Sequence, residues 1–100
     1  MLRKKIRNTL KITCDDIDLL TVKNIEFYVR NLNFFATYIP AVLSSNEMLV
    51  DIPLEDAKRL RGDKAELQFA FTDANDVPNA SDIIEVKVKD LLKEVGYDSV

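Results

Sequence analysis

Leu67-Gln68-Phe69-Ala70-Phe71 and Ile83-Ile84-Glu85-Val86-Lys87-Val88-Lys89 are the two halves of the stretch that decides the fold. In the first half Leu67, Phe69 and Phe71 alternate with Gln68 and Ala70. In the second, Ile84, Val86 and Val88 alternate with Glu85, Lys87 and Lys89. A period of two places one set of side chains on a buried face and the other in water, which is the pattern of a half-buried strand. Between the halves, Asp73-Ala74-Asn75-Asp76-Val77-Pro78-Asn79 is dense in turn formers. Residues 64–89 therefore read as a β-hairpin. An isolated hairpin is marginal in water, so the rest of the chain must supply more strands and a hydrophobic cover.

Working outward, the upstream sequence supplies them. Residues 4–14 place Ile6, Leu10, Ile12 and Cys14 on one parity, with Asn8 as the exception, and read as a first strand. Val22 to Arg30 is a second strand, with Ile25, Phe27 and Val29 inward. Asn31-Leu32-Asn33 is a short turn, since Asn tolerates positive φ. Phe34 to Ile39 returns as a third strand, apolar on both faces and ended by Pro40. After Ser44-Ser45-Asn46, Glu47 to Ile52 is a fourth strand, with Met48, Val50 and Ile52 inward. Pro53 then opens a helix of about two turns, with Glu55 and Asp56 at its positive end and Gly62 at its close. Leu54, Ala57 and Leu60 share its apolar face. A second short helix is predicted after Asp90, with Leu91, Leu92 and Val95 apolar and Gly96 as its stop.

Six short strands with one helical crossover between the fourth and fifth predict a mainly β chain. Its 100 residues form a single immunoglobulin-like β-sandwich domain on this reading. The predicted core is Ile6, Leu10, Ile25, Phe27, Val29, Val50, Leu67, Phe69, Ile84, Val86 and Val88.

Composition narrows the chemistry. There is no histidine, which removes His-based acid–base catalysis, Ser/His and Cys/His nucleophilic sites and most zinc sites. The two glycines, Gly62 and Gly96, cannot form a phosphate-cradling loop. The lone Cys14 has no disulfide partner, and Asp15 and Asp16 beside it disfavour a thiolate. Asp15, Asp16 and Asp18, and the Asp73–Asn79 loop, resemble calcium-binding sequences only in composition. In the second, Val77, Pro78 and Ile84 occupy positions an EF-hand reserves for ligands and glycine, so both are read as turns. No enzyme activity, cofactor or metal is expected.

Charge is uneven. Residues 1–11 hold Arg3, Lys4, Lys5, Arg7 and Lys11 without an acid, while the remainder carries 9 basic against 17 acidic groups, or −8. An acidic body repels phosphate, so nucleic acid is disfavoured as a partner. The basic start lacks the unbroken apolar run of a secretion signal, and no stretch approaches the ~20 apolar residues of a membrane span. What remains are exposed aromatics, because Phe34, Phe35 and Tyr38 lie on both parities of one strand. Exposed rings on a small β domain mark a protein partner. The predicted contact residues are therefore Tyr28, Phe34, Phe35 and Tyr38, with Arg3, Lys4, Lys5 and Arg7 as an electrostatic arm.

Several segments together resemble a family. They are Met48-Leu49-Val50-Asp51-Ile52-Pro53 leading into Glu55-Asp56-Ala57, then Leu67-Gln68-Phe69-Ala70-Phe71, Asn79-Ala80-Ser81-Asp82-Ile83 and Asp90-Leu91-Leu92-Lys93-Glu94. Ile6-Arg7-Asn8 and Asn24-Ile25-Glu26-Phe27-Tyr28-Val29 extend the pattern. The chain resembles small structural proteins of tailed bacteriophages and prophages of Gram-positive bacteria. The resemblance implies a virion structural or assembly role in the head–tail, tail or baseplate region. It implies contact with other phage structural proteins or with itself, and residence in the bacterial host cytoplasm before assembly and in the virion after it. It transfers no catalytic or ligand-binding residue. A binding module for carbohydrate or a host surface is the alternative.

Overall fold

The computed structural model describes residues 1–89, and the chain there is mainly β. The strands are β1 (Leu2–Arg3), β2 (Asn8–Thr13), β3 (Lys23–Asn31), β4 (Phe34–Tyr38), β5 (Ala41–Val42), β6 (Glu47–Ile52), β7 (Lys64–Thr72), β8 (Pro78–Ala80) and β9 (Ile84–Lys89). One short helix, α1 (Leu54–Ala57), sits between β6 and β7. The strands form two sheets. The larger runs β1-β9-β7-β3-β4, with β8 beside β7, and the smaller runs β2-β6-β5.

The hairpin expected at residues 64–89 is the axis of the larger sheet. β7 pairs antiparallel with β9 through Ala65↔Val86 and Leu67↔Ile84, and with β8 through Ala70↔Ala80 and Thr72↔Pro78. β8 and β9 are one returning arm, interrupted at residues 81–83. At the break the Phe69 N–H donates to Ser81 Oγ at 3.0 Å and the Ser81 N–H donates to the Phe69 carbonyl at 2.8 Å. A hydroxyl thus stands in for one rung of the ladder. The turn is organised by Asp73, whose Oδ1 accepts the N–H groups of Asn75 and Val77 at 2.9 and 3.0 Å. That carboxylate acts as an Asx turn former.

The inward faces of both sheets meet in one buried cluster. Phe27, Val29, Phe34 and Phe69 come from the larger sheet, Met48, Val50 and Ile52 from the smaller, and Leu60 from the corner that follows α1. Burying each large side chain of this set contributes roughly 1.5–3 kcal/mol, so the cluster rather than the isolated ladders holds the sheets together.

The structure departs from the sequence expectation in several places, each with a local cause. Among the described residues, nine strands replace six. The strand predicted over 4–14 is shortened to β2, because Lys5 turns the chain at φ 62, and an unpredicted strand, β1, precedes that turn. Leu2 and Arg3 then pair parallel with Val88 and Lys89 in the larger sheet, and Asn8 onward joins β6 in the smaller. Asn8, the apparent exception in the alternation, makes this crossover possible. It is 7% exposed; its Oδ1 accepts the Arg3 N–H at 2.9 Å, and its Nδ2 donates to the carbonyls of Arg3 and Ile6. In β3 the register shifts between Lys23 and Glu26, where Asn24 adopts φ 55. The helix is one turn rather than two, with Pro53 as its N-cap. The chain beyond it tightens into i→i+3 bonds from Arg59 to Asp56 and from Leu60 to Ala57. Ala57 and Leu60 are buried, but Leu54 is exposed. Ile84, expected inside, is 56% exposed. It has the inward parity of Leu67 and Val29, so parity alone does not bury it. The C-terminal helix expected over Asp90 to Val95 lies outside the described residues.

Candidate contact surface

β3 and β4 form a hairpin with Leu32-Asn33 as a two-residue loop between partners Asn31 and Phe34. The register settles which rings of β4 are available. Phe34, Ala36 and Tyr38 face inward; Phe35 and Thr37 face out, on the same side as Tyr28 and Arg30 of β3 and Glu66 and Gln68 of β7. Tyr28 stands opposite Thr37, so Phe35 is its diagonal neighbour, and the two rings stack with centroids 5.9 Å apart and planes 24° from parallel. Across β3 and β7, Arg30 Nε and Nη2 both donate to Glu66 Oε1, at 2.9 and 2.6 Å. An exposed pair of this kind contributes about 0–1 kcal/mol, so its main consequence is to fix Arg30 beside the rings. Tyr28, Arg30, Phe35, Glu66, Leu67, Gln68 and Ile83 line a shallow hollow of about 240 Å³. Phe35 is 61% and Ile83 55% exposed, an apolar patch that burial inside the chain does not account for.

Of the expected contact residues, Tyr28 and Phe35 lie on this surface. Phe34 does not: it is 5% exposed, and the Arg59 guanidinium lies 5.0 Å above its ring. Its inward register makes it a core residue with a cation–π lid. Tyr38 is half-buried and points the same way. Its hydroxyl donates to Asp56 Oδ2 at 2.8 Å, tying β4 to α1. Burial, then the hydrogen bond to Asp56 and its charge, push the phenol well above its ordinary range. Tyr38 is a structural tether.

The residues of the expected electrostatic arm lie at the start of the fold. Arg3 is a strand residue of the larger sheet. The Lys4 N–H donates to the Lys89 carbonyl at 2.9 Å, and the Lys5 N–H to the Ala57 carbonyl at 3.3 Å. Arg7 binds Asp51 in a fork, Nε to Oδ1 at 2.7 Å and Nη2 to Oδ2 at 2.5 Å. The hydrogen bond and charge of Arg7 hold the Asp51 carboxyl below the usual range and raise the guanidinium in turn. Lys11 meets Glu47 at 2.7 Å. Arg7 and Lys11 meet these acids because β2 pairs with β6, which carries Asp51 and Glu47, whereas Arg3 stands opposite Lys89.

The rest of the surface offers less chemistry. Burial, with Asp15 nearby, raises the Cys14 thiol, which favours the protonated form. Among the described residues no group of three or more acidic or sulfur ligands converges on one point. Asp18 Oδ1 accepts the Leu20 N–H at 3.0 Å, and Asp73 Oδ2 accepts from Asn79 Nδ2 at 3.2 Å, so both acidic loops use carboxylates to build turns. Among those residues, no helix is long and apolar enough to cross a membrane.

Sequence reasoning missed Ile83, because it reads as the wrong-parity neighbour of Ile84. It also missed Ile39, 78% exposed just past β4, and Leu32, 72% exposed at the hairpin tip. The usable signal was Pro40 in the first case and the surrounding Asn residues in the second: an apolar side chain beside a strand stop or in a turn has no inward face to occupy. No family model matches the chain, and neither a curated protein nor a solved structure does.

Proposed function

We propose that this chain is a virion structural or assembly protein of the head–tail, tail or baseplate region of a tailed phage or prophage. It acts by protein–protein contact, without catalysis or cofactor, and its two sheets form an immunoglobulin-like β-sandwich. The chain is made in the bacterial host cytoplasm and is carried in the virion. The observation that carries the contact reading is the stacked Tyr28–Phe35 pair, set with Ile83 in an exposed hollow. Aromatics and arginine are enriched at the cores of protein interfaces, and here both sit on paired strands of the larger sheet.

The test is incorporation into particles. Tyr28→Ala combined with Ile83→Glu is expected to keep the thermal transition and to lower the protein's content in gradient-purified particles at least about tenfold, since two anchors of ~1 kcal/mol or more are lost. Unchanged incorporation, or a chain absent from particles that assemble normally without it, refutes the reading. Flanking genes for portal, capsid or tail proteins are the expected setting.

The hollow also favours a second reading. A ring flanked by Arg30, Glu66 and Gln68 combines a flat apolar face with polar hydrogen-bonding groups, the arrangement a sugar needs. Binding on a glycan array that Tyr28→Ala abolishes would select that module over the assembly role.

A further inference from the structure

β4 is a free edge of the larger sheet, and among the described residues no strand lies beyond it. Its register shows which backbone groups the edge presents. With a two-residue loop after Asn31, the pairs Asn31–Phe34, Val29–Ala36 and Phe27–Tyr38 are the hydrogen-bonded ones. Tyr28 and Arg30 turn their amides toward Gln68 and Glu66 on β7. On β4 the alternate positions are Phe35 and Thr37, and Ile39 follows in phase. The N–H and C=O groups of Phe35 and Thr37 point away from β3, and all three residues are exposed.

Native edges are blunted by charge, proline, bulges or shortness. The other edges here follow that rule. β2 carries Lys11 and is preceded by Arg7, β8 begins at Pro78, β1 is two residues with Arg3, and β5 is two residues placed directly after Pro40. β4 alone among them is unguarded. Phe34-Phe35-Ala36-Thr37-Tyr38-Ile39 has no charge, glycine or proline and is rich in β-forming residues.

We propose that β4 pairs antiparallel with β4 of a second copy of this chain, about a two-fold axis at Thr37, fusing the two larger sheets into one. This register is self-complementary. Thr37 meets Thr37 of the second copy, and Phe35 meets Ile39 of the second copy. Thr–Thr and aromatic–β-branched pairs are both favourable cross-strand combinations. Charge is compatible with this direction. Arg30, held by Glu66, stands beside Phe35 at one end of the edge, and Glu26 lines the same hollow as Ile39 at the other, together with Lys23. An antiparallel two-fold sets the Arg30 end of each copy against the Glu26 end of the other. One strand pair buries less than the roughly 1,200–2,000 Å² of a stable complex, so this dimer exchanges with monomer as concentration changes. The pairing goes beyond the contact surface proposed above, since it uses the edge and not Ile83.

Sedimentation equilibrium of the full chain from about 10 μM to about 1 mM is expected to show a monomer–dimer equilibrium. Thr37→Lys places two like charges on the axis and is expected to raise the dissociation constant at least about tenfold. Ile83→Glu is expected to dimerise like the parent, which separates this edge from the contact surface. In a Cys14→Ala background, Thr37→Cys is expected to form a disulfide dimer under mild oxidation, because hydrogen-bonded antiparallel partners lie ~5.5 Å apart. Phe35→Cys is not, because its copy lies four residues off register, about 13 Å along the strand. A chain that stays monomeric to about 1 mM, a Thr37→Lys variant that dimerises undiminished, or equal cross-linking at both positions overturns the proposal.

Discussion

Asn31 is where the aromatic hairpin is fastened, and its removal has a calculable cost. It lies at the end of β3 with 2% exposure. Its Nδ2 donates to the carbonyls of Arg61 and Lys64, both at 2.8 Å, and its Oδ1 accepts the Arg61 N–H at 2.7 Å. One amide therefore closes the connection from α1 to β7 onto the loop end of the β3–β4 hairpin. Each bond contributes about 1 kcal/mol net, and a buried partner left unsatisfied costs about 1–3 kcal/mol more. Asn31→Ala is expected to lose roughly 2–4 kcal/mol, read as a fall in the urea midpoint at unchanged m-value. Asn31→Asp separates hydrogen bonding from packing. Its carboxylate keeps the acceptor for Arg61 but faces two carbonyl oxygens where a donor stood. The charged form is disfavoured in the folded state, so the folded-state pKa rises above the unfolded ~3.9. Stability from such a group is fully present below the unfolded value and is lost as pH rises through the folded one. Asn31→Asp is thus expected to approach the parent near pH 3–4 and to fall furthest behind it at neutral pH. An Asn31→Ala loss under about 1 kcal/mol, or an Asn31→Asp deficit that does not grow with pH, would show that the amide does not carry this junction.

Two further outcomes follow from single side chains. Tyr38→Phe retains the ring and removes the bond to Asp56, so a loss of about 1 kcal/mol is expected in denaturant titration. Because the phenol is raised in the folded state, the parent's stability from this group is complete below its ordinary pKa of about 10 and declines above it; Tyr38→Phe is expected to lack that alkaline decline, and identical alkaline limbs would refute the tether. Leu32 holds φ 51 at the hairpin tip with 72% exposure. A left-handed backbone costs a branched residue roughly 1–2 kcal/mol, so Leu32→Asn is expected to gain about 0.5–1 kcal/mol in thermal melts, and a destabilised variant would mean that Leu32 packs on Gly62 more firmly than its exposure implies.

The parts of the fold that were legible share a cause: periodicity reports burial, and burial is what orders the central strands. β7, β9, β3 and β6 alternate because one face of each meets the core. The parts that were not legible are governed by single polar side chains or by where a sheet stops. Asn8 looked like a flaw in a strand, but it is the pin of a sheet-to-sheet crossover. Asn31 looked like a turn former, while the positive φ of that turn falls on Leu32. Ile84 keeps inward parity and lies exposed because coverage, not alternation, decides burial. The aromatic strand could not be oriented from its own sequence, since both of its faces are apolar. Only its pairing with β3 shows that Phe34 and Tyr38 serve the core and that Phe35 faces the solvent. The basic start looked like an arm because sequence separates Arg7 from Asp51 and Lys11 from Glu47, pairs that only the β2–β6 register brings together.

What unites Phe35, Ile39 and Ile83 is large exposed apolar surface. Each leaves apolar surface in water at about 25 cal/mol per Å² of lost burial, and an unguarded edge adds an aggregation hazard. A chain selected only to fold would tolerate polar residues at all three positions. Elsewhere the sequence observes the ordinary safeguards, with cations on β1 and β2, a proline on β8, and acids that cap its turns. Exposed apolar side chains also occur elsewhere, at Leu20, Leu43, Leu54 and Val77 among others, but Phe35 and Ile83 are gathered with Tyr28 around one hollow on the outward face of the larger sheet. Scattered exposure is normal for surface apolar residues, whereas concentration on one rigid, hydrogen-bonded framework matches what an interface requires before its partner arrives: anchors held in place, so that little entropy is lost on docking. The hairpin of β7 with β8 and β9 supplies that framework. Its inward face builds the core, and its outward face holds Glu66 against Arg30 and sets Ile83 beside the rings.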